Sequence, residues 1–228
     1  LITMLFLGSS LNAQVVSVVT PTGTLGNTNG SGADPVCRFY NSIRYQVVYT
    51  VAELQAAGLV ANAQITKLAW NVTEASGSLG NYTISMGHTS ATNSAAHDNS
   101  ATTVVKNAFT YNTATGFNDI TFDTPFTWNG TGNLLVEICT GAANPYTSPY
   151  GGVAAITGLT SGSRGYRVDG SSACRTSTSS TYSTKPIVRF TWAVLPSVSI
   201  VTPAGTSGNT NGSGADPVDR YYNSIRYQ

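Results

Sequence analysis

Charged side chains are scarce in this sequence. Only 9% of its 228 residues are Asp, Glu, Lys or Arg, against about 25% in typical soluble domains. The formal net charge is +1, which gives no electrostatic reason to bind nucleic acid or an anionic membrane. We therefore expect neither as a partner. Low charge also means little repulsion between copies, which favours self-association.

The motifs of common enzymes and metal sites are missing as well. No Gly-x-Ser-x-Gly, P-loop or His-Glu-x-x-His occurs. His88 and His97 lie in a stretch rich in Thr, Ser and Asn, and only Asp98 stands beside them, so a solvated loop explains them better than a metal site does. Glu137 is the most interesting carboxylate, but we expect it to form hydrogen bonds with neighbouring loops. The sequence predicts no catalytic residue and no cofactor.

Composition favours strands. Ser and Thr number 57, with 23 glycines and 12 tyrosines, which suits pleated strands joined by Gly, Asn and Ser turns. Apolar and polar residues alternate within 82–86, 119–123, 133–138 and 188–192, and further strands are expected near 15–20, 43–49, 64–73, 102–106, 150–156 and 164–168. About ten short strands separated by turns predict an all-β fold, a β-sandwich or jelly roll.

One short helix is expected, at about 51–58. Thr50 and Glu53 have the spacing of a capping box, and Gly58 stands where a helix commonly ends. The helix would connect strands across one end of the sandwich.

The beginning of the chain is apolar. Residues 1–14 resemble the apolar core and small-residue end of a secretory signal peptide, and they are too few to span a bilayer, which takes about 20 apolar residues. Because an initiator Met and a basic segment are lacking, we expect the true N-terminus to be missing. The alternative is that this stretch is an ordered strand of the mature protein.

A duplication is the most informative feature. Residues 16–46 recur as residues 198–228 at a constant offset of 182, with 26 of 31 positions identical. The match runs through strand, loop and strand, so two similar loops within one domain do not explain it. We therefore expect one β-sandwich module over residues 15–197 and, over 198–228, the first strands of a second tandem copy or a donor segment.

The joint between modules is expected to be short and stiff, because Pro196 and few other residues separate the last strand from the second copy. The second copy opens with an apolar strand that we expect to join modules end to end, either covalently or by insertion into a neighbouring subunit. This inter-module strand comprises Val198, Ser199, Ile200, Val201, Thr202 and Pro203.

Several segments resemble a module of secreted surface proteins of Bacteroidota. The strongest is Pro-Phe-x-Trp-x-Gly at 125–130, followed by Asn-Leu-Leu-Val-Glu-Ile-Cys at 133–139; others lie at 45–54, 65–72 and 185–190. The resemblance covers most of one module. It implies export, a β-sandwich, and a place among adhesin-like or fibre-forming repeats. Where the resemblance implies Arg-Pro before the last strand, this sequence has Lys185-Pro186.

Three cysteines are present. Export makes a disulfide the natural use of two of them, and the resemblance implies that Cys139 pairs with Cys174. Cys37 becomes Asp219 in the second copy, so the module does not require it; it is expected to be an unoxidised or locally paired thiol.

Two regions are candidate ligand sites. The loop 26–35 has oxygen-bearing side chains at a spacing faintly like a calcium loop, with Asn27, Asn29 and Asp34 as candidate ligands; the alternative is a tight turn that its glycines permit. Tyr146 and Tyr150 lie in a Pro-held loop, where exposed rings would stack on glycans.

These features together predict an extracellular, secreted bacterial structural protein. Its β-sandwich modules would join end to end into a surface filament or fibre, with self-association as its principal interaction. Two alternatives stay open: a carbohydrate-binding adhesin module, and an accessory domain of a secreted hydrolase.

Overall fold

The computed structural model describes residues 13–28, 34–141, 144–174 and 179–194 of the chain. Within these ranges the chain forms thirteen strands and one helix. The helix α1 spans Val51–Ala56. The strands are β1 (Ala13–Val19), β2 (Thr24–Asn27), β3 (Ser42–Tyr49), β4 (Ala63–Glu74), β5 (Ser78–Thr89), β6 (Thr103–Asn112), β7 (Gly116–Thr127), β8 (Asn133–Cys139), β9 (Gly152–Thr157), β10 (Ser163–Val168), β11 (Ser180–Tyr182), β12 (Lys185–Pro186) and β13 (Val188–Val194). The prediction of an all-β fold with one short helix is confirmed.

The strands form two antiparallel sheets, the arrangement of a β-sandwich. The seven-stranded sheet has the order β1-β13-β4-β9-β12, with β2 paired to β9 and β7 paired to β4. The six-stranded sheet has the order β11-β10-β3-β8-β5-β6. Strand β3, which belongs to the duplicated segment, therefore lies inside a sheet, between β10 and β8.

The core lies between the sheets and follows the alternation of the sequence. In β5, for example, Tyr82, Ile84 and Met86 are fully buried and the residues between them are partly exposed. The three tryptophans are at most 5% exposed: Trp70, Trp128 and Trp192. One face of each principal strand thus supplies the apolar surface whose burial stabilises the sandwich.

One hydrogen-bonded chain crosses this core. The indole N–H of Trp70, on β4, donates to the Tyr82 hydroxyl at 3.0 Å. That hydroxyl, on β5, in turn donates to the Pro35 carbonyl at 3.0 Å. Tyr82 therefore connects both sheets and the loop that leads into β3.

The helix has the ends that its sequence predicts. The Thr50 hydroxyl accepts from the Glu53 N–H at 3.3 Å, and the Glu53 carboxylate accepts from the Thr50 N–H at 2.7 Å, so the capping box is present. Gly58 follows the C-cap with a φ of +88°, a conformation that glycine adopts without strain. Glu53 also forms an ion pair with Lys185 of β12, at 2.8 Å.

The sheet edges differ in character. Among the described strands β1 lies at an edge, where it pairs with β13, and it contains no charged residue. On β7, Asp123 accepts from the Lys106 ammonium at 2.6 Å and from the Asn107 N–H at 2.9 Å, which links the edge strands β6 and β7 of the two sheets. An uncharged edge strand is open to pairing with another chain, whereas a charged one resists it.

Some expectations were wrong, and others fall outside the described residues. His88 lies in β5 rather than in a loop, and Asn27 lies in β2 rather than in a turn. Strand β2 has no apolar alternation that would predict it, because three of its four residues are exposed. Strand β1 begins at Ala13, within the expected leader. Residues 1–12 and the second copy, including the inter-module strand 198–203, lie outside the described residues.

Candidate functional site

The structure brings Tyr146 and Tyr150 together at one end of the sandwich. Both belong to the connection between β8 and β9; their hydroxyl oxygens are 2.5 Å apart and their ring centroids 5.3 Å apart. The hydrogen bond to Tyr150 raises the pKa of the Tyr146 hydroxyl. Tyr146 is 57% exposed, so its ring is available to a ligand.

Phe39 joins this pair although sequence reasoning did not select it. Its ring centroid lies 5.3 Å from that of Tyr146 and 4.8 Å from that of Tyr150, and Tyr40 packs on it at 5.1 Å. The signal available in the sequence was that both copies of the duplicated segment carry two adjacent aromatic residues at this point.

The ring contacts continue to a cation. The Arg167 guanidinium of β10 lies 5.1 Å from the Tyr40 ring and 5.9 Å from the ring of Tyr182 on β11. It also donates to the Tyr182 hydroxyl at 2.6 Å. These residues together form what we call the aromatic–arginine surface: Phe39, Tyr40, Tyr146, Tyr150, Arg167 and Tyr182.

The buried side chain of Arg38 fixes the loops that carry the aromatic–arginine surface. Its guanidinium donates to the Ser76 carbonyl at 2.8 Å and to the Pro145 carbonyl at 3.3 Å, and its backbone N–H donates to the Tyr150 carbonyl at 2.7 Å. The side chain is buried. Because Arg38 directly precedes Phe39, these bonds fix the tyrosine-bearing loop against the duplicated segment.

Asn41 ties a third loop to the same end. Its side-chain amide donates to the Asn144 carbonyl at 2.7 Å, its carbonyl oxygen accepts from the Gly170 N–H at 3.1 Å, and its backbone N–H donates to Asp169 at 2.9 Å. The loop before β3 is therefore hydrogen-bonded both to the loop after β8 and to the loop after β10.

The disulfide between Cys139 and Cys174 is present, as predicted, with a Cα–Cα distance of 5.4 Å, which lies within the range that the bond allows. It joins the end of β8 to the loop after β10, and so braces two of the three loops just described. Cys37 lies outside this disulfide and is buried, and the Phe39 N–H approaches its sulfur at 3.4 Å.

Two of the three candidate calcium ligands, Asp34 and Asn27, differ in their exposure to solvent. Asp34 is fully buried, one carboxylate oxygen accepts from the Val36 N–H at 3.0 Å, and burial raises the pKa of the carboxyl group well above its ordinary value. Asn27 is exposed, and Asn29 lies outside the described residues. Among the described residues, no three His, Cys, Asp or Glu side chains are grouped so that they could hold a metal ion. Calcium binding at this loop stays a prediction.

Glu137 has partners on the neighbouring strand, not in loops as expected. Its carboxylate accepts from the Arg44 guanidinium at 2.7 Å and from the Gln46 amide at 2.6 Å, both on β3. Adjacent strands in register bring these three side chains to one face of the six-stranded sheet. The carboxylate is therefore engaged in an ion pair within the sheet.

The differences between the two copies of the duplicated segment fall mainly at the surface. In the first copy four of the five differing residues, Val18, Thr22, Leu25 and Phe39, are exposed or partly exposed, and only Cys37 is buried. The other eleven described buried residues are identical in both copies: Val19, Pro21, Thr28, Asp34, Pro35, Val36, Arg38, Ser42, Ile43, Tyr45 and Gln46.

Comparison with known proteins gave no relative. No family model, no curated protein and no solved structure matches this chain. The resemblance to Bacteroidota surface modules therefore stays a prediction. Within the described ranges, no helix is long and apolar enough to cross a membrane.

Proposed function

We propose that this chain is an extracellular structural repeat protein whose β-sandwich modules join end to end into a surface fibre. The observation that carries the proposal is where the two copies differ: the second copy keeps every described buried residue of the first except Cys37, and the other differences are at exposed or partly exposed residues. Buried positions are those where substitution costs the most stability, so the second copy has the side chains needed to form the same strands.

The first copy supplies parts of both sheets. It forms most of β1, at the edge of the seven-stranded sheet, all of β2, and the first part of β3, inside the six-stranded sheet. Such strands cannot bury their apolar faces alone. The second copy would therefore pack with the rest of a module, either covalently downstream or in a neighbouring subunit. Both routes give a linear assembly that does not close, which is a filament.

The uncharged β1 edge and the disulfide fit this function. Ala13–Val19 carries no charge that would oppose pairing with another strand. The Cys139–Cys174 disulfide is compatible with an oxidising, extracellular location.

The proposal is tested by removing residues 198–228 and comparing the product with the full chain by size exclusion and negative-stain microscopy. The full chain should form filaments and the truncated chain should not. In the full chain, Val201→Asp, at the counterpart of buried Val19, should abolish assembly. Ser207→Asp, at the counterpart of exposed Leu25, is the matched control and should leave assembly intact. Filaments formed by the truncated chain would show that this segment is not the joint.

A second candidate function, carbohydrate binding, is favoured by the aromatic–arginine surface. Sugar rings present apolar C–H faces that stack on exposed aromatic rings, and the hydroxyl groups of Tyr146 and Tyr150 lie within reach of a sugar seated on their rings. Tyr146→Ala should weaken saccharide binding, whereas Val60→Ala, at an exposed apolar residue outside this surface, should not.

A further inference from the structure

Most cations of the described residues are neutralised by carboxylates. Five of the eight described Lys and Arg side chains form ion pairs at 2.6–3.8 Å: Arg44, Lys67, Lys106, Lys185 and Arg189. The exceptions are Arg38, Arg164 and Arg167.

Arg38 and Arg164 each donate several hydrogen bonds to carbonyl and hydroxyl oxygens instead. Arg38 donates to two carbonyl groups and to the Thr147 hydroxyl. Arg164 donates to the Ala95 carbonyl at 2.6 Å, and to both the carbonyl and the hydroxyl of Ser179. Both side chains therefore fasten loops.

Arg167 differs from both. Its hydrogen bond to the Tyr182 hydroxyl uses one of the five donors of a guanidinium, and among the described residues it forms no ion pair. Tyr40 and Tyr182 hold the guanidinium by cation–π contact. The charge is thus fixed in position while most of its N–H groups have no protein acceptor among the described residues.

A cleft of about 230 Å³ lies beside this guanidinium. Its walls are the β10 segment 165–167 together with Ser179, Ser180 and Tyr182. They offer hydroxyl groups and ring edges, and Arg167 is the one cation among the lining residues. The volume is below the range of about 300–1,000 Å³ that is usual for drug-sized ligands, and so suits a single small unit of a larger ligand.

We propose that this cleft binds the carboxylate of an acidic saccharide, with Arg167 as the residue that pairs with it. The planar guanidinium matches a carboxylate in a two-point contact. Beside Arg167 lie three rings that contact one another, those of Tyr40, Phe39 and Tyr146. They extend to the exposed part of the aromatic–arginine surface, where the adjoining sugars of the same oligosaccharide stack. The inference rests on the second candidate function and names its ligand class.

The test is calorimetric titration of the full chain with three short acidic oligosaccharides, of galacturonate, glucuronate and sialate. Each is paired with its carboxyl-reduced counterpart, which keeps the sugar backbone and lacks the charge. A glutamate peptide of equal charge is the non-saccharide probe. Arg167→Gln removes the cation and Arg167→Lys keeps the charge without the planar fork. Arg189→Gln is the matched control, because Arg189 also stacks on a ring, that of Phe117 at 4.7 Å, but is paired with Asp119.

We expect at least one acidic oligosaccharide to bind about ten- to a hundredfold more tightly than its reduced counterpart, as a charged hydrogen-bonded pair would give. Arg167→Gln should abolish this difference, Arg167→Lys should keep part of it, and Arg189→Gln should keep all of it. Tyr146→Ala should weaken both forms alike.

The outcomes separate the two proposals. Equal binding of acidic and reduced forms, or a preference that survives Arg167→Gln, overturns the inference and leaves carbohydrate binding intact. Binding of none of the saccharides overturns both. Binding of the glutamate peptide as tightly as of the saccharides shows that the cleft recognises carboxylates of proteins, and the saccharide assignment is then wrong.

Discussion

The tyrosine hydroxyls in the core allow a sharp test of what holds the two sheets together. Tyr82 and Tyr111 are neighbours, with ring centroids 5.0 Å apart, and both are nearly inaccessible to solvent. The Tyr82 hydroxyl accepts from Trp70 and donates to the Pro35 carbonyl. The Tyr111 hydroxyl is buried and has no hydrogen-bond partner among the described residues. Removing each hydroxyl by substitution with Phe changes almost nothing else.

The expected effects have different signs. Tyr82→Phe leaves the buried Trp70 N–H and the Pro35 carbonyl without partners, and each such group costs about 1–3 kcal/mol. We therefore expect the free energy of unfolding to fall by about 2–6 kcal/mol. Tyr111→Phe removes a desolvated hydroxyl that makes no bond, so stability should be unchanged or rise by up to about 1 kcal/mol.

Denaturant titration followed by tryptophan fluorescence measures both variants, and an unchanged slope would show that the extent of unfolding is the same. The comparison uses the oxidised protein truncated after residue 197, so that assembly does not contribute to the transition. A loss below about 1 kcal/mol for Tyr82→Phe, or an equal loss for Tyr111→Phe, would refute the assigned role of the chain from Trp70 to Pro35.

Three further predictions concern stability. Replacing Cys139 and Cys174 together by Ser should lower the free energy of unfolding by about 4 kcal/mol, since the bond closes a loop with a separation of 35 residues; the reduced wild type should match it, and a loss below about 1 kcal/mol would contradict this. Burial lowers the pKa of His88, whose ring nitrogen accepts from the Asn129 N–H at 3.1 Å. The contribution of neutral His88 to the free energy of unfolding is present above the unfolded-state pKa of about 6.5, and it is lost as the pH falls through the lowered folded-state pKa. His88→Gln should therefore make the free energy of unfolding fall less steeply at acid pH. Burial raises the pKa of Asp34, so the contribution of its protonated carboxyl group to the free energy of unfolding is lost as the pH rises. Asp34→Asn should therefore become increasingly more stable than the wild type as the pH increases. The opposite dependence on pH for either variant would count against these assignments.

Several features could be predicted because they depend on residues close together in the chain. Successive side chains of a strand point to opposite faces of the sheet, whichever strands lie beside it. Tyr82, Ile84 and Met86 could therefore be assigned to the core from their spacing alone. The capping box of Thr50 and Glu53 is likewise local, since it spans a single turn. The duplication needs no structure at all. The disulfide depended on resemblance, because spacing does not select a pair among three cysteines.

The aromatic–arginine surface was decided by the tertiary structure. Tyr146 and Tyr150 could be selected from their Pro-held loop, but Phe39, more than 100 residues earlier in the chain, reaches them only because Arg38 and Asn41 fasten their loops together. Arg167 reaches Tyr40 because β10 pairs with β3. Strand order within a sheet follows from the packing of the whole sandwich and leaves no periodic trace in any one segment. The sequence by itself therefore determined which residues face the core, and the pairing of distant strands decided which surface residues meet.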